Sequence, residues 1–138
     1  MADLILDTGV LIAIERGTLA LDELRDPGST VAVASITVAE FTVGVLRAAT
    51  AQQADQRRRF LATIVRDARV LSYDQSTATA HARLLADTTA QGLVRGAHDL
   101  IIAAHAAQTG RTLVTTDQHA GFGALPGLTV RVVHPERH

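Results

Sequence analysis

The sequence has 138 residues, of which 47% are hydrophobic and 20% are charged, and this balance is typical of one globular domain rather than of a disordered chain. It contains no cysteine, which excludes disulfide bonds, zinc–thiolate sites and cysteine nucleophiles. The formal net charge of −1 does not indicate a nucleic-acid-binding protein, although the basic residues, which are all arginine, can still form a local patch.

Two features of the sequence indicate where in the cell the protein is expected. No apolar run approaches the ~20 residues that a membrane-spanning helix needs. The first residues enter a strand pattern directly, without the basic segment that begins a secretory signal. We therefore expect a cytoplasmic protein that makes no membrane contact and folds as a single domain over residues 1–138.

Strand and helix patterns alternate along the chain. Short apolar runs predict strands at residues 4–6, 31–34, 70–71, 112–115 and 128–133. Apolar residues at helical spacing predict helices at residues 10–17, 19–25, 37–49, 52–67, 75–90 and 99–108. Because buried strands that alternate with helices form parallel sheets covered on both faces, we expect an α/β fold.

Four acidic residues lie where these elements meet. Asp7 and Asp117 each follow a predicted strand, Glu40 lies in a predicted helix, and Asp99 opens another. Ligands of such sheets bind beyond the carboxyl ends of the strands, where we expect these side chains to converge. At ~4 Å and an effective dielectric of ~20, each like-charge pair costs on the order of 4 kcal/mol. Protonation or a hard cation would relieve that repulsion, so the sequence predicts a divalent-metal site.

Each acid also has a purely structural interpretation. Asp7 is a possible helix N-cap, and Thr37 with Glu40 fits a capping box, which is the stronger interpretation of Glu40 taken alone. Asp99 suits the positive end of a helix dipole, and Asp117 suits a turn. The joint placement of the four acids favours a shared site over four independent structural roles.

Four segments resemble the motifs of PIN-domain ribonucleases. They are Leu-Asp-Thr-Gly at 6–9, Ala-Glu-Phe-Thr-Val-Gly at 39–44, Asp-Leu-Ile-Ile-Ala-Ala at 99–104 and Leu-Val-Thr-Thr-Asp at 113–117. Gly9 departs from the pattern, since the family often has Ser or Asn there. The resemblance covers nearly the whole chain, and the length suits the single-domain VapC-type toxins of type II toxin–antitoxin pairs.

The resemblance implies a fold, an activity and a set of partners. The fold would be a three-layer α/β/α sandwich around a parallel sheet of about five strands. The activity would be the hydrolysis of RNA by an endoribonuclease that depends on Mg²⁺ or Mn²⁺. The protein would form a homodimer, and a cognate VapB-type antitoxin would neutralise it.

The resemblance also assigns roles to individual residues. Asp7 and Asp99 would be the principal metal ligands, and Glu40 and Asp117 would complete the catalytic and metal-binding pocket. Thr8 and Thr116, which carry no charge, would be supporting polar residues.

Arginine side chains are the candidates for RNA binding. Arg47 shares a helix face with Glu40, and Arg57, Arg58 and Arg59 form the densest basic run, although a solvated helix face explains at least two of them. Two other functions stay open. A non-catalytic PIN-like RNA-binding protein is one, and an Mg²⁺-dependent phosphoacceptor or phosphatase domain is a weaker one, because such domains normally need a lysine that this chain lacks.

Overall fold

The structure is a computed structural model that describes residues 2–90, 96–117, 125 and 127–136. In chain order its elements are β1 (Leu4–Leu6), α1 (Thr8–Glu15), α2 (Leu21–Leu24), β2 (Val31–Ala34), α3 (Ser35–Leu46), α4 (Ala51–Asp67), β3 (Arg69–Leu71), α5 (Gln75–Ala90), α6 (Ala97–Thr109), β4 (Thr112–Thr115) and β5 (Val130–Val132). Among the described residues, no helix has both the length and the apolar character needed to cross a membrane.

The strands form a five-stranded sheet in the order β3-β2-β1-β4-β5, and every neighbouring pair is parallel. From β1 the chain adds β2 and β3 on one side, and it then returns to add β4 and β5 on the other. A topological switch point therefore lies between β1 and β4, which is where ligands of such sheets bind. The register pairs Leu6 with Val114, so the residues that follow β1 emerge beside the end of β4.

Both faces of the sheet are covered, because successive residues of a strand point to opposite faces. Leu4 and Leu6 join one apolar cluster, while Ile5 joins the other. The first cluster takes buried side chains from α1, α3 and α4, namely Val10, Leu11, Phe41, Val45 and Ile64. The second takes them from α5 and α6, namely Leu84, Leu100, Ile102, Ala103, Ala104 and Ala106. This is the predicted three-layer α/β/α sandwich.

The start of α3 corrects one prediction. The helix begins at Ser35, directly after β2, and its N-cap Ala34 provides no side-chain hydrogen bond. Thr37 consequently lies inside the helix and is fully buried, with no hydrogen-bond partner for its hydroxyl among the described residues. The capping box proposed for Thr37 and Glu40 is therefore wrong, because Thr37 is not at the cap position.

The strands β1, β2 and β4 and the helix α5 have the predicted bounds, whereas the remaining elements differ from the prediction by a few residues. The α6 helix begins at Ala97, after the N-cap Gly96, and it ends at Thr109, where the C-cap Gly110 has a φ of 69°, the left-handed conformation that favours glycine. The final strand spans Val130–Val132, which is shorter than the predicted 128–133.

Candidate functional site

Asp7 lies at the switch point, between the end of β1 and the start of α1. It is the N-cap of α1, and its Oδ1 accepts a hydrogen bond of 2.9 Å from the backbone N–H of Val10. Its Oδ2 accepts a hydrogen bond from the hydroxyl of Thr115 at the end of β4. The N-cap interpretation of Asp7 is therefore confirmed, and the side chain also lies at the carboxyl end of the sheet.

The pKa of Asp7 is raised above its usual value, chiefly because burial disfavours the charged carboxylate. The hydrogen bonds from Thr115 and Val10 act in the opposite direction, since they stabilise the carboxylate. The negative charges of Asp99 and Asp117 raise the pKa further. Asp7 is therefore a carboxylate that its neighbours repel and that two donors hold in place.

Thr115 is a site residue that the sequence interpretation missed. It is fully buried, and its hydroxyl donates to Asp7 while accepting a 3.0 Å hydrogen bond from the backbone N–H of Asp117. One hydroxyl thus connects two of the four acids. The available signal was the strand pattern itself, because a threonine that ends β4 must lie beside the residue that follows β1 once those strands pair.

Glu40 points away from its own helix N-terminus and towards α1 and α6. Its Oε1 accepts a 2.9 Å hydrogen bond from the hydroxyl of Thr8. Its Oε2 lies 3.2 Å from Nδ1 of His98. Thr8 was predicted to be a supporting polar residue, whereas the sequence interpretation gave no role to His98. Its position next to Asp99 in the sequence was the signal that pointed to the site.

Asp99 lies in the first turn of α6, half-buried, with its carboxylate folded back over the helix N-cap. A Cβ atom on Gly96 would lie only 3.0 Å from Oδ2 of Asp99, so glycine permits this close approach. Burial raises the pKa of Asp99, and the charges of Asp117 and Glu40 raise it further, while His98 lowers it. The carboxylate therefore faces two other acids.

Asp117 is exposed and directly follows β4. Its charge raises the pKa values of both Asp7 and Asp99, so it lies on the same side of the sheet as they do. Thr116, the second proposed supporting residue, is half-buried beside Gly9 rather than bonded to one of the acids. Residues 118–124 lie outside the described part of the chain.

The donor set has the chemistry that a hard divalent cation requires, but it does not form a preformed cage. Within the described ranges, no group of three or more His, Asp or Glu side chains is arranged to hold a metal ion. Mg²⁺ commonly binds proteins through one or two carboxylates and retains several waters, so it does not need such a cage. Burial and the charges of neighbouring acids both raise the pKa values of Asp7 and Asp99, and a bound cation would stabilise the two carboxylates against both effects, so the residues fit the ion in this sense.

The candidate RNA-binding arginines differ in their surroundings. Arg57 is half-buried and donates a 2.8 Å hydrogen bond to the carbonyl of Gly44, so it ties α4 to α3. It also lines a cavity of about 100 Å³ whose wall includes Glu40 and Arg16. Arg57 therefore lies near Glu40 while also making a structural contact.

The remaining arginines of this set are exposed. Arg58 forms a 2.8 Å ion pair with Asp55 on the surface of α4, and an exposed pair of this kind contributes little stability. Arg59 lines a separate, open depression on the same helix. Arg47 is the C-cap residue of α3, and its backbone N–H bonds to carbonyls of that helix.

Comparison with known proteins identifies the family. The family model described as "PIN domain" matches residues 4–126. Ribonuclease VapC5 of Mycobacterium tuberculosis is 41% identical over 125 residues, which cover 89% of this chain and 87% of the relative. Ribonuclease VapC1 of Rickettsia felis is 28% identical over 94% of this chain and 96% of the relative.

Solved structures share the fold over almost the whole chain. The structure of VapBC-5 from Mycobacterium tuberculosis, a member of the VapBC family of toxin–antitoxin systems, matches with a TM-score of 0.74 and 34% identity, covering 97% of this chain and 99% of that one. VapBC2 from Rickettsia felis, bound to a promoter DNA fragment, matches with a TM-score of 0.82 and 23% identity over 94% and 98% of the two chains. The family match, the identity to VapC5 and the shared fold agree, and the chain belongs to the PIN-domain family.

Proposed function

We propose that the protein is a VapC-type toxin, an endoribonuclease that hydrolyses RNA phosphodiester bonds with the help of a divalent cation. The observation that carries the proposal is the convergence of four acids at the switch point between β1 and β4, namely Asp7, Glu40, Asp99 and Asp117. The 41% identity to Ribonuclease VapC5 supports the choice of RNA as substrate.

Asp7 and Asp99 would hold the cation, which we propose is Mg²⁺ or Mn²⁺, and Glu40 and Asp117 would complete the pocket. When bound, such an ion lowers the pKa of a coordinated water and neutralises charge that develops on a phosphoryl group. The protein keeps Asp7 in one orientation through Val10 and Thr115, so that ligand requires little reorganisation.

Glu40 would orient the attacking water. Thr8 and His98 contact one carboxylate oxygen each, and they therefore fix the plane of the carboxylate without covering both lone pairs of either oxygen. Asp117 lies at the exposed edge of the pocket, where it would act beside an incoming RNA strand.

RNA recognition would depend on phosphate position and RNA shape. The chain has only four aromatic residues, three Phe and one Tyr, so extensive base stacking is not available. Arg57 and Arg16 line the cavity beside Glu40, which makes them the arginines best placed to contact a phosphate. Arg47, Arg58 and Arg59 would contribute at longer range.

We further propose that a VapB-type antitoxin neutralises the protein and that it forms a homodimer. The solved structure of the related VapBC-5 toxin–antitoxin system supports the first proposal. Expression of the protein alone should arrest growth, and co-expression with the product of a neighbouring antitoxin gene should relieve that arrest. The two proteins should form a stable complex that size-exclusion chromatography with light scattering detects. The same instrument measures whether the toxin alone is a dimer.

The direct test of the proposed function is cleavage of total cellular RNA by the purified protein. We expect cleavage in Mg²⁺ or Mn²⁺, none in EDTA, and a loss of at least about a hundredfold for Asp99→Asn, because a site ligand is removed. Asp22→Asn makes the same chemical change at an exposed residue of α2 and should cleave normally. Full activity in EDTA or in Asp99→Asn would contradict the proposal, and RNA binding without cleavage in either metal would support the non-catalytic alternative.

A further inference from the structure

At the edge of the acidic pocket, the hydroxyl of Thr116 fills the space that a side chain at position 9 would occupy. Gly9 lies in the first turn of α1, and Thr116 lies between β4 and Asp117. A Cβ atom built on Gly9 would lie 2.6 Å from Oγ1 of Thr116 and 3.6 Å from Oδ1 of Asp7. The Thr116 hydroxyl therefore stands beside Asp7, in the volume that any side chain at position 9 would fill.

The backbone does not explain the glycine. The φ of Gly9 is not among the positive values of the described glycines, so an L-residue can adopt its conformation. Glycine in a helix is less stable than alanine by roughly 0.5–1 kcal/mol, and so its presence here is a local cost. What the missing side chain provides is room for the Thr116 hydroxyl.

The hydroxyl of Thr116 is available to a ligand. Thr8 donates to Glu40 and Thr115 donates to Asp7, but the Thr116 hydroxyl has no hydrogen-bond partner in the described part of the chain. The residue is half-buried, so part of its surface remains open to solvent. A neutral hydroxyl among carboxylates is a donor that an anionic substrate can approach without repulsion.

We propose that the Thr116 hydroxyl donates a hydrogen bond to a phosphate oxygen of the RNA, and that Gly9 is the residue that holds the space open for it. This inference rests on the proposed ribonuclease function. It makes Thr116 a substrate-contacting residue and Gly9 a positioning residue that acts through it. A side chain at position 9 would turn the hydroxyl into another staggered rotamer, away from the pocket.

A double-mutant cycle tests the pairing, with kcat and KM measured for Gly9→Ala, Thr116→Val and the double variant. Loss of a hydrogen bond to a charged group lowers kcat/KM about tenfold to a hundredfold, and we expect this for each single variant. The double variant should lose no more than the worse single variant, because both changes remove the same contact. Thr116→Ser should retain most of the activity. Independent, multiplying losses, or full activity of Gly9→Ala, would overturn the inference.

Two readouts separate a contact from a defect in folding. The thermal midpoint of Gly9→Ala should equal or exceed that of the wild type, and Gly44→Ala, whose new Cβ meets no atom within 4 Å, calibrates the gain from helix propensity alone. The NMR signal of the Thr116 methyl group should report a changed rotamer in Gly9→Ala. An unchanged rotamer would contradict the proposed displacement.

RNA cleavage by the wild type tests the proposed function, whereas RNA affinity of the variants can test the Thr116 contact separately. If the wild type cleaves no RNA, the proposed function fails, and the pairing is then measured as RNA affinity in EDTA by fluorescence anisotropy. Equal and non-additive losses of affinity in the two single variants would support the contact. Wild-type affinity in both of them would overturn it.

Discussion

Replacing Thr115 with valine removes the hydroxyl that connects Asp7 to Asp117 while leaving a side chain of nearly the same shape. The lost bond to Asp7 has a charged acceptor, and such bonds contribute roughly 1.5–3 kcal/mol. In the second bond the hydroxyl accepts from the backbone N–H of Asp117, which is an exposed residue, and the loss of this neutral bond adds about 1 kcal/mol at most. We expect Thr115→Val to lower the free energy of unfolding by about 2–3 kcal/mol at neutral pH.

The loss should depend on pH in a defined direction. Burial raises the pKa of Asp7 above the ordinary 3.8, and the Thr115 hydrogen bond partly offsets that rise. A carboxyl group whose folded pKa is raised contributes stability below its unfolded pKa and loses it as the pH rises through the folded pKa. Removing the Thr115 bond raises the folded pKa of Asp7 further, so the deficit of Thr115→Val should be smallest near pH 4 and greatest above neutrality.

Urea unfolding in EDTA at about pH 4 and pH 7.5 measures both the size and the pH dependence of this loss. Thr88→Val is a matched control, because Thr88 is also buried but donates to a neutral carbonyl, that of Leu85. Thr115→Ser keeps the hydroxyl and should recover most of the stability. If Thr115→Val costs no more stability than Thr88→Val at neutral pH, or if its cost does not change with pH, the Thr115 hydroxyl does not stabilise the charged form of Asp7.

Two further predictions concern charge and the arginines. Asp99→Asn should raise the free energy of unfolding in EDTA at neutral pH by about 1 kcal/mol, because it removes a half-buried charge that faces other acids. This gain in stability should vanish at acid pH, where the carboxyl group of the wild type is protonated. A loss of stability in urea unfolding would contradict the prediction. Arg57→Ala should lower the free energy of unfolding by about 1 kcal/mol, because it removes the hydrogen bond to Gly44. Arg58→Ala breaks only the exposed pair with Asp55 and should lower it by less than about 0.5 kcal/mol. Equal losses in thermal unfolding would contradict this difference.

The sheet and the relative positions of the acids were predictable from the sequence, because both depend on local patterns. Apolar runs that end at Asp7 and before Asp117 place those residues at the carboxyl ends of strands. Parallel pairing then brings them together wherever the strands lie side by side. That a single domain spans residues 1–138 stays a prediction, as do the metal ion and the roles of the individual site residues.

The side-chain partners could not be predicted in the same way. Thr115, rather than Thr116, contacts Asp7 because of the register between β1 and β4, which joins residues more than a hundred positions apart in the sequence. The contact of Glu40 with Thr8 depends on how α3 packs against α1. The capping box failed for a local reason, since β2 runs into α3 without a loop and the helix starts earlier than the sequence pattern indicates.

Calorimetric titration of the purified protein with Mn²⁺ measures whether the converging acids hold a divalent cation. We expect the wild type to bind Mn²⁺, and Asp7→Asn and Asp99→Asn to bind it at least about tenfold more weakly, because each loses a charged oxygen ligand. Asp22→Asn, on the surface of α2, should bind Mn²⁺ as the wild type does. Wild-type affinity in both Asp7→Asn and Asp99→Asn would contradict a cation site at these acids.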